Sequence, residues 1–216
     1  MLACWLLGAA MAAPAAPDKA PVKGPGWETK LYAQPRVGGF VFSDGQDTST
    51  GVSIGAEGGL RYWQVGRPRP VLRGTARVAG DYVLTTSDAA GMELRVGNQL
   101  GPYWKNVGLQ TGPDVFWNRY SFGAYDLDPT VGLAWPLTAL AWTQGVSIYG
   151  GAEPAWLSNP DRRVDWSEQA VPGFGHEFTW LGGVGLDVGG LSLSLGYRYR
   201  ITAVGGQHGL SAGISL

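Results

Sequence analysis

Two histidines, His176 and His208, are the first places to look for acid–base chemistry in this chain. His176 adjoins Glu177 and lies near Asp165 and Glu168; His208 lies three positions before Ser211. A hydrolytic site needs its base hydrogen-bonded to its nucleophile or orienting acid. On a strand, residues one or three positions apart point to opposite faces, so neither pair is placed to cooperate. Both are expected to be surface histidines. The single cysteine, Cys4, lies in an N-terminal segment expected to be removed, which leaves no thiol chemistry. No cluster has metal-ligand spacing. Gly182-Gly183-Val184-Gly185 is glycine-rich, but no helix pattern follows it, as a phosphate-binding loop would require. No catalytic residue, metal or cofactor is therefore expected.

The charged residues carry more information. They make up 15% of the 216 residues, against about 25% in soluble proteins. A net charge of −1 gives no basis for bulk nucleic-acid binding. The four lysines, Lys19, Lys23, Lys30 and Lys105, lie ahead of the alternating segments or in a tight turn. The other twelve cations are arginines, most of them within alternating segments. Strand surfaces washed by water commonly carry lysine, which also guards edges. Glycine (35 residues) and tryptophan (ten) take the place of the missing charge.

These charges are positioned by a period of two that runs from about residue 33 to the end. In the clearest stretch Leu191, Leu193, Leu195, Tyr197, Tyr199 and Ile201 face one way. Ser192, Ser194, Gly196, Arg198, Arg200 and Thr202 face the other. The same division recurs around Ile54, Val78, Leu94, Val115, Ile148, Val184 and Leu210. Weaker versions lie near 33–43 and 128–137. Ten strands result, or eight if the weak segments are loop. Short connections are expected near 65–69, 105–106, 138–144 and 189–190. Longer ones are expected near 44–50, 86–90, 119–127 and 158–176, with a fifth near 204–207.

Alternation alone does not say which face meets the core. Here the polar face lacks lysine, is rich in glycine and is nearly charge-balanced. It carries seven bases, Arg36, Arg61, Arg73, Arg77, Arg95, Arg198 and Arg200, and six acids, Glu57, Asp81, Glu93, Asp114, Glu153 and Asp187. A shielded interior needs such matching, because a lone buried charge costs several kcal/mol. Arginine suits it through its planar fork. The apolar face carries Tyr62, Tyr82, Trp117, Trp135, Trp156, Trp180 and Tyr199, residues that favour a membrane interface. Apolar side chains out and charges in is the pattern of a membrane barrel. The expected fold is all-β: a single antiparallel up-and-down transmembrane β-barrel of about ten strands, with eight as the alternative. With thirteen inward charges its lumen should be mostly filled.

The N-terminus fits export. Residues 4–13, CWLLGAAMAA, form an apolar run too short to span a bilayer, and Ala10-Met11-Ala12 has the small-residue pattern of a cleavage site. Residues 1–12 are thus expected to be a signal peptide, 13–32 a disordered Pro/Ala-rich linker and 33–216 the barrel.

In residues 33–216 the chain resembles the small outer-membrane β-barrels of Gram-negative bacteria, in the broad OmpA/OmpX/OmpW-like class. The most specific part is the final stretch from His208 to Leu216, similar to the terminal strand of such proteins; the family usually ends in Phe, and this chain ends in Leu216. The resemblance implies a bacterial outer-membrane location. It also implies contact with membrane lipid and with the barrel-assembly machinery through the C-terminal strand. Arg162, Arg163 and Trp166, in the longest loop, are candidates for an external contact, with an unknown ligand. Function at this point reads as a non-enzymatic envelope structural or surface-contact protein, or a narrow porin-like channel. An outer-membrane enzyme acting on lipid or peptide, and a soluble periplasmic ligand-binding barrel, stay open as alternatives.

Overall fold

A computed structural model describes residues 25–43, 45–46, 48–85, 90–122, 125–165, 175–203 and 205–215. The signal-peptide expectation, most of the linker, Trp166, Glu168 and Leu216 lie outside these residues.

The described chain is a run of antiparallel strands: β1 Gly26–Ser43, β2 Thr48–Val65, β3 Val71–Thr85, β4 Ala90–Tyr103, β5 Val107–Thr111, β6 Asp114–Phe122, β7 Tyr125–Ala134, β8 Leu137–Thr143, β9 Val146–Leu157, β10 Glu177–Val188, β11 Leu191–Thr202 and β12 Gly205–Ser215. They form ten staves. β5 and β6 both pair with β4 and are two halves of one stave. β8 and β7 both pair with β9 and form the next. β9 pairs on with β10, and β12 pairs with β1, so the sheet closes on itself. Closure leaves no edge, which a sheet in hydrocarbon requires because no water is there to satisfy open backbone groups.

Both divided staves break at proline. The first breaks at Gly112-Pro113, where a side chain on Gly112 would run into the carbonyl of Asn98. Asn98 N–H is instead satisfied by the Pro113 carbonyl at 3.1 Å. The second breaks at Trp135-Pro136, and there Trp135 N–H donates to Pro154 O at 2.9 Å. Proline lacks a ladder donor, so each stave bends where it occurs.

Three expectations are corrected. Strand β1 starts at Gly26, so residues 26–32 of the expected linker belong to the barrel. Residues 137–143 form strand β8, and the turn shrinks to Gln144-Gly145. Leu140 and Trp142 occupy inward positions there, which makes both faces apolar and hides the alternation. Most of the expected 119–127 loop is strand: β6 runs to Phe122 and β7 starts at Tyr125. A register shift between Asn118 and Tyr120 breaks the phase that would have revealed it.

The orientation of the faces follows directly from exposure. Ile54 is 63% exposed, Val78 60% and Leu195 54%, while Arg36 and Glu57 are 3% and Asp114 is 0%. The apolar side chains point out of the barrel and the charges point in. This is the reverse of a soluble barrel and matches a wall in contact with lipid. Tyr82, Trp135 and Trp180 are exposed on the same outer face, and Tyr62, Trp117, Trp156 and Tyr199 are half-buried there. β1 and β2 have 18 residues each. At a rise of about 3.3 Å and a tilt of about 40° they reach about 45 Å along the axis, well beyond an apolar band about 25 Å tall.

Candidate functional site

Glycine makes room for the lumen's side chains. Gly55 lies opposite Asp81 in the β2–β3 register, and Gly97 lies opposite Asp114 in the β4–β6 register. A methyl at either glycine would overlap the facing carboxylate. Gly132 gives the same clearance to the ring of Phe116, and Gly213 to the amide of Gln34. The high glycine content is thus the complement of large polar side chains that lie flat across neighbouring staves.

Those side chains form one connected lattice. Arg36 bridges Glu57 at 2.9 Å and Asp81 at 2.8 Å, and Tyr32 donates its hydroxyl to Glu57 at 2.7 Å. Arg77 joins Glu57 at 3.8 Å to Asp114, which it contacts closely. Arg95 is the hub: its Nη1 donates to Glu153 at 2.6 Å and to Asp114 at 3.4 Å, and its Nη2 to Glu93 at 3.2 Å. Arg200 links Glu93 at 3.3 Å to Glu177, to which its Nε donates at 2.9 Å. Arg162 continues the chain, 3.6 Å from Glu177 and donating to Asn118 at 2.7 Å. These partners come from strands on opposite sides of the barrel, so the lattice crosses the interior as well as lining it.

Of the thirteen charges expected inside, nine enter the lattice: Arg36, Arg77, Arg95, Arg200, Glu57, Asp81, Glu93, Asp114 and Glu153. Arg198 is buried beside them. Arg61, Arg73 and Asp187 lie toward the end with the short turns and take other partners. The Arg61 guanidinium sits 4.4 Å from the Tyr32 ring centroid. Arg73 sits 5.0 Å from that of Tyr103 and 5.7 Å from that of Trp142. Asp187 accepts a hydrogen bond from Ser192. Tyr103, Leu140 and Tyr149 form a buried cluster at this level, so rings and aliphatic groups line the interior near the turn end.

The opposite mouth corrects the reading of the long loop. Arg162, expected at an outer contact surface, is 4% exposed and docked into the lattice. A 3₁₀ turn, Pro160–Arg162, carries it inward, and Asn159 supports that turn by accepting from Asp161 N–H at 3.0 Å. Val164 is buried as well, with its N–H donating to His176 O at 3.0 Å. Phe116, Ala134, Ala155 and Leu157 form a buried apolar patch on the inner wall of β6, β7 and β9, with Arg95 over the Phe116 ring. Arg163 stays exposed.

Sequence reasoning missed Glu177, although its parity with Thr179 places it inward on β10. The loop expected at 158–176 ends just before it, and the alternating segment is counted only from Phe178. Nothing in the sequence marks Arg162 as an inward residue, because no period governs an irregular segment. The histidines have local partners. Leu157 N–H donates to His176 Nδ1 at 2.9 Å. His208 Nδ1 lies 2.8 Å from the Tyr197 hydroxyl, and its ring stacks on Tyr199 at 4.4 Å between centroids. No group of metal-ligating side chains occurs among the described residues.

Over 87% of this chain and 97% of that one, the barrel superposes on the β-domain of the Bordetella autotransporter BrkA with a TM-score of 0.51 at 14% identity. The chain has the outer-membrane β-barrel fold. Neisserial surface protein A (NspA) aligns over 88% of this chain and 98% of its own at 16% identity, with a TM-score of 0.42. The translocator domain of the autotransporter NalP from Neisseria meningitidis aligns over 90% and 89% at 12% identity, with a TM-score of 0.39. No protein-family model and no curated protein matches the chain.

Proposed function

We propose that this protein is a resident barrel of the bacterial outer membrane whose lumen is closed by its own side chains. It acts as an envelope structural or surface-contact protein and not as a diffusion pore. The observation carrying this reading is the ion-pair lattice that crosses the interior from Tyr32 to Arg162. A pore for solutes needs a continuous water path. Here opposed charges hold one another across the lumen, and buried apolar and aromatic clusters pack on the inner wall beside them. Barrels of about eight strands are just filled by side chains, and ten with this many large ones fall on the filled side.

Lipid is the partner of the outer wall, and β12, which closes the barrel against β1, is the segment offered to the assembly machinery. The histidines serve the fold: His176 accepts a backbone N–H, which fixes its Nε2-protonated tautomer, and His208 is held between two tyrosines.

The test is the refolded full chain in a planar bilayer. The expected result is no stable single-channel current above leak at voltages of either sign. Reproducible unitary steps would overturn the closed-lumen reading. Covalent labelling by a fluorophosphonate probe, lost in His176→Ala, would overturn the non-enzymatic one.

A further inference from the structure

Within the charged layer lies a cavity of about 50 Å³ whose walls include Arg77, Arg95, Arg198, Gln110, Tyr149 and Glu153. It exceeds the 10–15 Å³ or so that a single water requires. Its walls are rich in hydrogen-bond donors with no acceptor. Gln110 Nε2, the Tyr149 hydroxyl and the Nε atoms of Arg77 and Arg95 are buried and unpartnered. Arg77 and Arg95 have their own carboxylates. Arg198, 8% exposed, differs: among the described residues no carboxylate lies within 4.0 Å of it, and Glu93 and Glu153 act on it only from farther off. The one acid on the wall, Glu153, is held by Arg95 at 2.6 Å.

We propose that this cavity is a binding site for a small monovalent anion of the halide class, held chiefly by Arg198 with the Gln110 amide and the Tyr149 hydroxyl. A buried guanidinium whose nearest carboxylates stand beyond ion-pair distance, as Glu93 and Glu153 do here, regains only part of its desolvation cost from them. Water relieves this poorly, because each molecule brings two hydrogens that need acceptors, and the unpartnered wall atoms are almost all donors. A halide brings a negative charge and only accepts. It also completes the donor sets of side chains from three staves at once (β5, β9 and β11), which makes it a bolt through the barrel wall. The inference goes beyond a closed lumen: conductance reports on the whole interior, and halide dependence reports on this cavity.

The experiment is urea unfolding of the full chain, refolded in lipid vesicles, in chloride against gluconate at equal ionic strength. An anion that binds only the folded state multiplies the folding equilibrium by 1 + [L]/Kd, about elevenfold at ten times its Kd. A chloride-specific stabilisation that saturates, and that disappears in Arg198→Gln, is the expected result. Should Arg198→Gln fail to fold, Tyr149→Phe and Gln110→Leu should each weaken the chloride dependence. Crystals grown in bromide should show one anomalous peak in the cavity. Equal midpoints in chloride and gluconate would overturn the proposal. So would an equal chloride effect in Arg198→Gln, or a cavity holding water alone in bromide.

Discussion

Replacing Arg95 by methionine tests the lattice at its hub. Arg95 is 4% exposed and contacts three carboxylates, but their dependence on it differs. Glu93 keeps Arg200 at 3.3 Å, and Asp114 keeps Arg77. Glu153, 6% exposed, has Arg95 as its only ion-pair partner within 4.0 Å among the described residues, so Arg95→Met leaves one buried carboxylate with only the longer-range attraction of Arg198 and Arg77. Breaking a buried pair from one side costs about 3–5 kcal/mol, because the surviving charge keeps its desolvation penalty. Removing that charge too, in Arg95→Met/Glu153→Gln, should return most of the loss. The assay is reversible urea unfolding in lipid vesicles, followed by tryptophan fluorescence. With a slope of about 2 kcal/mol/M, the single variant's midpoint should fall by about 1.5–2.5 M, and the double variant should recover more than half of that. The reasoning fails if Arg95→Met unfolds within about 0.5 kcal/mol of the parent, or if the double variant is no more stable than the single.

Three further outcomes follow from the same geometry. Leu195→Arg, midway along β11 on the outer wall, should destabilise the inserted barrel by about 2–4 kcal/mol, and Leu195→Ala by much less; equal effects would remove lipid from that face. A fluorophore on Ile54→Cys should be quenched by brominated lipid, and one on Thr130→Cys should not, since Ile54 faces out and Thr130 is 2% exposed. Gly97→Ala should cost about 1–3 kcal/mol by displacing the Asp114 carboxylate; Gly58→Ala, whose new methyl would lie 3.5 Å from Tyr32 O, should be nearly neutral in the same unfolding assay.

The membrane barrel was legible in the sequence because its cause is local. A period of two sorts side chains between faces wherever the chain is extended, so the outward row through Leu193 and Leu195 and the inward row through Arg198 and Arg200 follow from position alone. The lack of lysine in the alternating segments read from residue 33 onward, and the matched arginines and acids, then indicated which face is shielded; Lys30 enters a strand only because β1 starts at Gly26. The signal weakened where that cause weakens. In β8 Leu140 and Trp142 make the inner face apolar, and at Asn118 a shift in register breaks the phase.

Partnership within the lumen was decided only by the tertiary structure. Parity places Arg36, Arg95 and Arg61 on one face. Height along a tilted stave, and which staves lie opposite, determine that Arg95 meets Glu153, 58 positions away, while Arg61 stacks on Tyr32. The inward fold of Arg162 is decided the same way, because Asn118 and Glu177, 44 and 15 positions distant, come together only when the barrel closes. Alternation is a property of the extended backbone, whereas contact across a cylinder depends on stave number, tilt and register, which no short stretch of sequence carries.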